Sequence, residues 1–529
     1  MPAPISKTGR DTLTRIAERL LLAAATAAAL NLSQPPWSLH LLGWLAPAPL
    51  FLAIRRSSSA GGAFAVCFAA GSLFWAGHVH WLLPVGGVNA LNWGVSMPLL
   101  GIFFGVLGPL AWLARRAPAG SAWAVYASAW VLIEYLRLHL GFVSTPWGVL
   151  AYSQIGMLPM AQLASLAGIW GVSFVLAGVA EALAIGGDGL ARGGLGPRGR
   201  LEILAPLLLA ALCLAWGSWR LAGAEQNETL PVAVVQASVY TRGVDPTEAR
   251  LRIMEDYYAL SREAARAAPE LIAWPASAVP SRIPWNRFLV RKLGELASEL
   301  DTPVLIGSTG QEKSMPGQRE RPMANSAFLF ASEGEIADRY DKILLVPFNE
   351  YMPLRGLLRW PAWVTGDVID ALPGDRRTVF QLPGGSRFGV LICWENLFPD
   401  GFRQTAAKGL DFVVSMTNEA FTDDAGAHQQ MLEMNAYRAI ENGVSVVRTS
   451  TTGVSAVFDR HGRTLTQVEN ASGKTLDVTG WRVVEAPLDS ARTPYTRYGD
   501  WLPLACLLGI AAVAVGGRRF PSRSEARAS

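Results

Sequence analysis

Lysine and arginine are shared out unevenly between the apolar stretches of this chain, and that pattern constrains its fold more than any other feature. Eight stretches, at about 16–31, 37–54, 61–83, 91–114, 121–139, 159–185, 201–221 and 499–517, are long enough or nearly so to cross a bilayer of roughly 30 Å. Basic residues precede the first (Lys7, Arg10, Arg15, Arg19) and follow the second (Arg55, Arg56), the fourth (Arg115, Arg116), the sixth (Arg192, Arg198, Arg200) and the last (Arg518, Arg519, Arg523, Arg527). The alternate connections, near 32–36, 84–90 and 140–158, carry none. Such alternation keeps both chain ends in the cytoplasm and puts a long insert on the far side of the membrane. The first stretch also has a basic start and an apolar Leu20-to-Leu30 core, as a cleaved signal peptide does, but its removal would break the alternation. The expected organisation is therefore a polytopic α-helical membrane protein of about eight transmembrane helices: a bundle over 1–221, an inserted domain over 222–498, and a last helix with a cytoplasmic tail over 499–529. With 51% hydrophobic and 17% charged residues the chain is too apolar for an ordinary soluble enzyme. A net charge of +4 with no basic block gives nucleic acid nothing to bind.

Within 222–498 the pattern changes: short apolar runs alternate with amphipathic ones. Strands are expected at Leu230–Gln236, Leu271–Trp274, Pro303–Gly307, Ser326–Phe330, Phe388–Cys393, Phe412–Met416, Val444–Thr449 and Val454–Phe458, and helices at about 246–266, 286–300 and 425–442. Strands interleaved with helices make a layered α/β domain. The stretch Met352 to Trp363 combines leucines, Trp360, Trp363, Arg355 and Arg359, the composition of a segment lying in a membrane interface.

Of four cysteines, Cys67, Cys213 and Cys506 fall in apolar stretches, and Cys393 alone lies in the inserted domain. It ends the run Val390-Leu391-Ile392-Cys393-Trp394-Glu395, so a thiol stands at a strand tip with a carboxylate two residues on. A lone thiol in an oxidising compartment forms no internal disulfide and is a hazard unless its reactivity is used. His428 offers a papain-like partner, but it sits in a helical pattern and no orienting residue can be assigned to it. His78-Val79-His80 lacks a third metal ligand nearby, and no metal or other cofactor is expected. Glu134 and Arg137, three apart on one helix face, read as a local ion pair at the membrane boundary.

Three islands carry a resemblance. Leu271-Ile272-Ala273-Trp274-Pro275-Ala276 leads into a loop, Tyr340-Asp341-Lys342 leads on to Pro347-Phe348-Asn349-Glu350-Tyr351, and the third is the Cys393 strand. Their order and spacing resemble the nitrilase superfamily, whose sites use a Glu, a Lys and a Cys. The membrane stretches, with Glu134-Tyr135-Leu136-Arg137, Thr145-Pro146-Trp147-Gly148 and Tyr152-Ser153-Gln154, narrow the resemblance to the apolipoprotein N-acyltransferases. The resemblance implies a nitrilase-like αββα sandwich for the inserted domain and a bacterial inner-membrane location with that domain periplasmic. It implies a phospholipid acyl donor, an acyl thioester on Cys393, and the α-amine of a diacylated apolipoprotein as acceptor. Lys342 would stabilise thiolate and oxyanion, with Glu350, Glu395 and Asn325 in support, Trp394 walling the acyl site, and Trp147, Trp360 and Trp363 meeting substrate or membrane.

One departure stands out. Where the resemblance implies a general-base glutamate after the Trp-Pro pair, this chain has Ala276, which cannot accept a proton. Loss of a positioned base costs about 10²–10⁴-fold in rate. Three readings stay open: an impaired variant, a paralogue that binds lipid or lipoprotein without turning it over, or an enzyme in which another carboxylate, best Glu350, takes the role. A membrane-tethered amidase is the other reaction that such a site suggests.

Overall fold

The computed structural model describes residues 7–85, 90–191, 193–223, 228–238, 246–311, 323–361, 370–488 and 492–516. They form two compact units, one of Met1–Leu83, Val88–Ala222 and Asp500–Ser529 and one of Pro84–Gly87 with Gly223–Gly499.

The first unit is helical: α1 (Lys7–Leu32), α2 (Leu42–Leu45), α3 (Ala48–Arg55), α4 (Ala60–His78), α5 (Ala90–Trp112), α6 (Ala122–His139), α7 (Leu158–Ala161), α8 (Ala164–Ala191), α9 (Pro197–Ala222) and a C-terminal helix Trp501–Gly516. Four of its helices, Ala60–His78, Ala90–Arg116, Ala164–Ala191 and Pro197–Ala222, are long and apolar enough to cross a membrane. The apolar stretch 37–54 is not one rod. It breaks into α2 and α3 at Pro47 and Pro49, because proline lacks the N–H a continuous helix needs and fits only its first turn.

Glu134 and Arg137 are both buried, but each turns to the backbone that follows α6 instead of forming the expected pair. The Glu134 carboxylate accepts from Trp130 Nε1 at 2.8 Å and from the Leu150 amide at 2.7 Å. The Arg137 guanidinium donates to the carbonyls of Thr145, at 2.7 Å, and Trp147. Non-helical backbone inside an apolar bundle needs such partners, since no water is there to supply them. Trp147 is buried in this unit, edge-on to Trp81 at 5.2 Å between ring centres.

The second unit is a two-sheet sandwich. One sheet takes the order β13-β1-β2-β4-β5-β6, with β3 beside β4; the other runs β12-β11-β10-β9-β8-β7. The strands are β1 (Thr229–Gln236), β2 (Leu271–Ala273), β3 (Val279–Ile283), β4 (Val304–Gln311), β5 (Met323–Phe330), β6 (Ile336–Asp341), β7 (Val379–Gln381), β8 (Arg387–Ile392), β9 (Phe412–Thr417), β10 (Ser445–Ser450), β11 (Ala456–Phe458), β12 (Thr464–Gln467) and β13 (Gly480–Pro487). Central strands β1, β2 and β4 are mutually parallel, as are β8, β9 and β10, so each set delivers its C-terminal tips to one end of its sheet.

Alternation along the strands builds the layers. Val232, Val234, Leu271, Ala273 and Leu305 meet Phe388, Val390, Val414 and Val447 between the sheets. The residues between them in sequence, Ala233, Val235, Ile272, Val304 and Ile306, face the other way, against α10 (Pro246–Ala265) and α11 (Arg287–Leu300). On the second sheet lie α12 (Pro399–Ala406) and α13 (Ala425–Asn442). The layers thus run helix, sheet, sheet, helix.

Candidate active site

Cys393 follows β8 directly and opens a short 3-10 turn, Cys393–Leu397. Its φ of +53° is in the left-handed region, costly for a residue with a Cβ and most often kept where function requires the geometry. Ile392 is paired with Met416 of β9, so the thiol emerges beside the end of that strand; Sγ lies 4.0 Å from the Asn418 carbonyl. The residue as a whole is partly exposed while the thiol itself is buried. Burial pushes its pKa up; the Lys342 cation pulls it down, and the Glu350 and Glu419 carboxylates add to the rise. The resting group is therefore a neutral thiol whose proton must leave before it attacks.

Lys342 comes from the other sheet. It follows β6, and its amide donates to the Asn325 carbonyl on β5 at 2.8 Å. The side chain is buried, and Nζ meets both oxygens of Glu350 at 2.9 and 2.8 Å. Glu350 Oε2 also accepts from the Val346 amide at 2.8 Å, and the Asn325 amide donates to Oε1. Asn325, Lys342 and Glu350 thus form one bonded cluster, with the ammonium held as a fixed charge.

Glu395 is fully buried and bonds elsewhere. Oε1 accepts from Tyr340 Oη (2.8 Å), the Ile343 amide (2.9 Å) and the Leu344 amide (3.1 Å), and Oε2 from the Ile392 amide at 2.8 Å. One carboxylate therefore ties the segment just past Lys342, on the first sheet, to the residue just before Cys393, on the second. Burial raises its pKa, and the amides of Ile392 and Leu344 oppose the rise.

Ala276 is buried in the core between the sheets, and Cys393 and Ile343 pack against that core. The loop that carries it crosses β4 at Gly307. A Cβ there would stand 2.3 Å from the Pro275 carbonyl oxygen and 2.6 Å from Ala276 Cα, so only glycine allows this approach. Trp394 is half-buried, edge-on to Phe398 at 5.2 Å. Trp360 packs edge-on to Phe348 at 5.1 Å and donates to the Pro353 carbonyl at 2.6 Å. Trp363 lies outside the described residues, and Trp147 belongs to the helical unit.

His428 does not partner Cys393. Its Nδ1 faces Glu419 Oε2 at 2.9 Å and its Nε2 the Thr422 carbonyl at 3.0 Å. Both ring nitrogens are thus engaged within the buried cluster and neither faces the thiol. Arg448 donates to the other Glu419 oxygen and to the Val454 carbonyl. Burial alone would raise the Glu419 pKa, but Arg448 and His428 outweigh it and hold the carboxyl below its usual range. This buried hub anchors the residue next to Asn418, whose carbonyl faces the thiol. Sequence reasoning passed over it, although Asn418-Glu419 ends an apolar strand next to the cysteine strand, a position where a carboxylate is informative.

Residues 26–182 match the family model of the apolipoprotein N-acyltransferase N-terminal domain, and residues 231–497 match that of the carbon-nitrogen hydrolases. A protein named apolipoprotein N-acyltransferase from Geobacter metallireducens is 31% identical over 93% of this chain and 94% of its own. One of the same name from Gloeobacter violaceus is 30% identical over 94% and 95%. Among solved structures, an amidase from Nesterenkonia sp. is 21% identical, covering 52% of this chain and 95% of its own, with a TM-score of 0.37.

Proposed function

The chain belongs to the apolipoprotein N-acyltransferase family, and from that premise we propose that Cys393 carries an acyl group from a phospholipid to the N-terminal amine of a diacylglyceryl-cysteine apolipoprotein. In the first half-reaction sulfur bonds to the ester carbonyl carbon, the ester C–O bond breaks, and the thiol proton leaves with the lysophospholipid alcohol. In the second, the amine nitrogen bonds to the thioester carbonyl, the C–S bond breaks, and the proton lost by nitrogen returns to sulfur. Atoms and charges balance in each half without any added co-reactant.

The observation that carries this reading is a thiol at a left-handed strand tip within the field of a buried lysine. A fixed cation there stabilises both the thiolate and the tetrahedral oxyanion. Ala276 leaves the proton without its family acceptor. We assign the relay to Glu350, whose carboxylate is locked on Lys342 and already influences the Cys393 thiol. Glu395 and Asn325 keep the lysine segment in place, and Trp394 borders the acyl group. In the same reading the eight apolar stretches are membrane spans, 1–221 is the bundle, and 222–498 is the periplasmic domain. Residues 499–529 end in the cytoplasm, Trp147, Trp360 and Trp363 meet lipid or substrate, and the chain resides in the bacterial inner membrane.

Ala276→Glu tests the assignment. The full chain is incubated with acyl-labelled phosphatidylethanolamine, and hydroxylamine-sensitive label on Cys393 and its transfer to a diacylated lipopeptide amine are followed. Restoring a positioned base should speed transfer by about 10²–10⁴-fold. Absence of any thioester in both forms would overturn the acyl-transfer reading. A variant no faster than the parent would show that the vacancy at 276 is not what limits the rate.

A further inference from the structure

A second exposed apolar segment sits on the rim of the sandwich that surrounds the site. Strand β3 runs out through Pro284 and Trp285 into the first turn of α11, where Trp285 is 41% and Phe288 63% exposed. Arg282, Arg287 and Arg291 are exposed around them. Sheet register places this segment. Ile283 pairs with Gly310 of β4, and Gly310 pairs with Ala324 of β5. One rung outward, Gln311 pairs with Met323, which bridges to Ala371, where the arm that begins at Met352 rejoins the sheet. One rung inward, Thr309 pairs with Asn325, whose amide holds Glu350. The Trp285 segment, the base of the arm and the Lys342 cluster therefore share one end of one sheet. The arm itself exposes Leu354, Leu357 (83%) and Leu358.

Among the described residues, arginine outnumbers carboxylate on this rim. Arg282, Arg287 and Arg359 have no ion pair among the described residues, whereas Arg291 pairs with Glu295 and Arg355 with Asp370. Exposed Trp and Phe ringed by unpaired arginine match the depth profile of a bilayer edge, apolar rings below and guanidinium groups at the phosphates.

We propose that Pro284–Phe288 is a second lipid-contacting edge of the domain, and that Arg282 and Arg287 make it favour anionic headgroups. The proposal rests on the reading that both substrates reach Cys393 from a membrane. The rim would hold the strand ends against the lipid surface on the β3 side while the arm does so on the β6 side.

The test uses the full chain reconstituted in phosphatidylethanolamine vesicles with and without phosphatidylglycerol. A nitroxide is placed on Phe288→Cys in a chain whose native cysteines are replaced by serine. The label should relax faster with oxygen than with a water-soluble nickel chelate, and more so with phosphatidylglycerol present. In chains that keep Cys393, Trp285→Ser/Phe288→Ser should slow transfer from vesicle lipid in both compositions. Arg282→Gln/Arg287→Gln should slow it about 25-fold with phosphatidylglycerol only, since each basic residue near an anionic surface contributes roughly a fivefold preference. Both pairs should keep the parent rate on detergent-solubilised substrates. A label that reports water in both vesicle types, or one shielded from both reagents by a protein neighbour, would overturn the proposal, as would unchanged vesicle rates. A lipid-embedded label in the labelled chain, together with no thioester formed by the parent chain that keeps Cys393, would support this contact while overturning the acyl-transfer reading.

Discussion

Glu395→Gln isolates the bond set that joins the two sheets at the site. The carboxylate accepts four donors, three at Oε1 and one at Oε2. An amide of the same shape offers one acceptor oxygen and two N–H donors. Kept toward Tyr340, Ile343 and Leu344, the oxygen preserves three bonds, but the new NH₂ then faces the Ile392 amide and orphans a buried donor. Flipped, it orphans three. The less costly arrangement loses a hydrogen bond to a charged group and leaves one N–H unsatisfied, together about 2–4 kcal/mol. For a domain of this size that lowers Tm by roughly 5–12 °C. The amide released belongs to the residue just before Cys393, so the sulfur loses its tie to the lysine segment, and transfer should fall at least tenfold at equal folded fraction. Thermal unfolding of the full chain in detergent and single-turnover thioester formation on the same preparation measure the two effects. A variant that melts within about 1 °C of the parent and forms thioester at the parent rate would refute the reasoning.

Three other perturbations follow from the same geometry. Lys342→Met leaves Glu350 with no cation beside it in a mostly buried site, so stability should fall by about 3–5 kcal/mol and thioester formation should be lost, read by denaturant unfolding and acyl labelling. Glu419→Gln should cost a similar amount by stranding Arg448 and His428. The Glu419 pKa is depressed in the folded state, so its contribution is complete above the unfolded carboxyl value near 4.3 and fades as pH falls through the lower folded value; the stability gap between parent and variant, measured by unfolding at several pH values, should therefore narrow only in acid. Gly307→Ala places a methyl 2.3 Å from the Pro275 carbonyl oxygen, and should displace the Ala276 loop at a cost of about 1–3 kcal/mol, with loss of transfer measured beside the melting curve.

Much of the inserted domain was legible because its central strands are buried on both faces. Leu271–Trp274, Phe388–Cys393 and Phe412–Met416 read as largely apolar runs, and strands form there at Leu271–Ala273, Arg387–Ile392 and Phe412–Thr417. The strands that were not foreseen sit at or near sheet edges; β3, β6, β7 and β12 are short or largely polar, and β13 is only partly buried. There one face meets water and the apolar signal thins. Strand β13 is the clearest example: Gly480–Pro487 pairs with β1 along its whole length, a contact across some 250 residues that no local pattern announces. The apolar stretch 37–54 is helical over less of its length than its hydropathy suggests, because summed hydropathy ignores where prolines interrupt a helix.

The candidate nucleophile Cys393, Lys342 and Ala276 could each be singled out from short islands, since strand tips and the loops after them are written locally by apolar runs and their punctuation. Their neighbourhoods could not. That Glu350 grips Lys342 while Glu395 ties the two sheets together, or that Glu419 stands between Arg448 and His428 behind the thiol, depends on which strand lies beside which and in what register. Those choices are made by burying two apolar sheet faces against each other. Side-chain partners 8 to 55 residues apart meet only once that burial has settled the pairing.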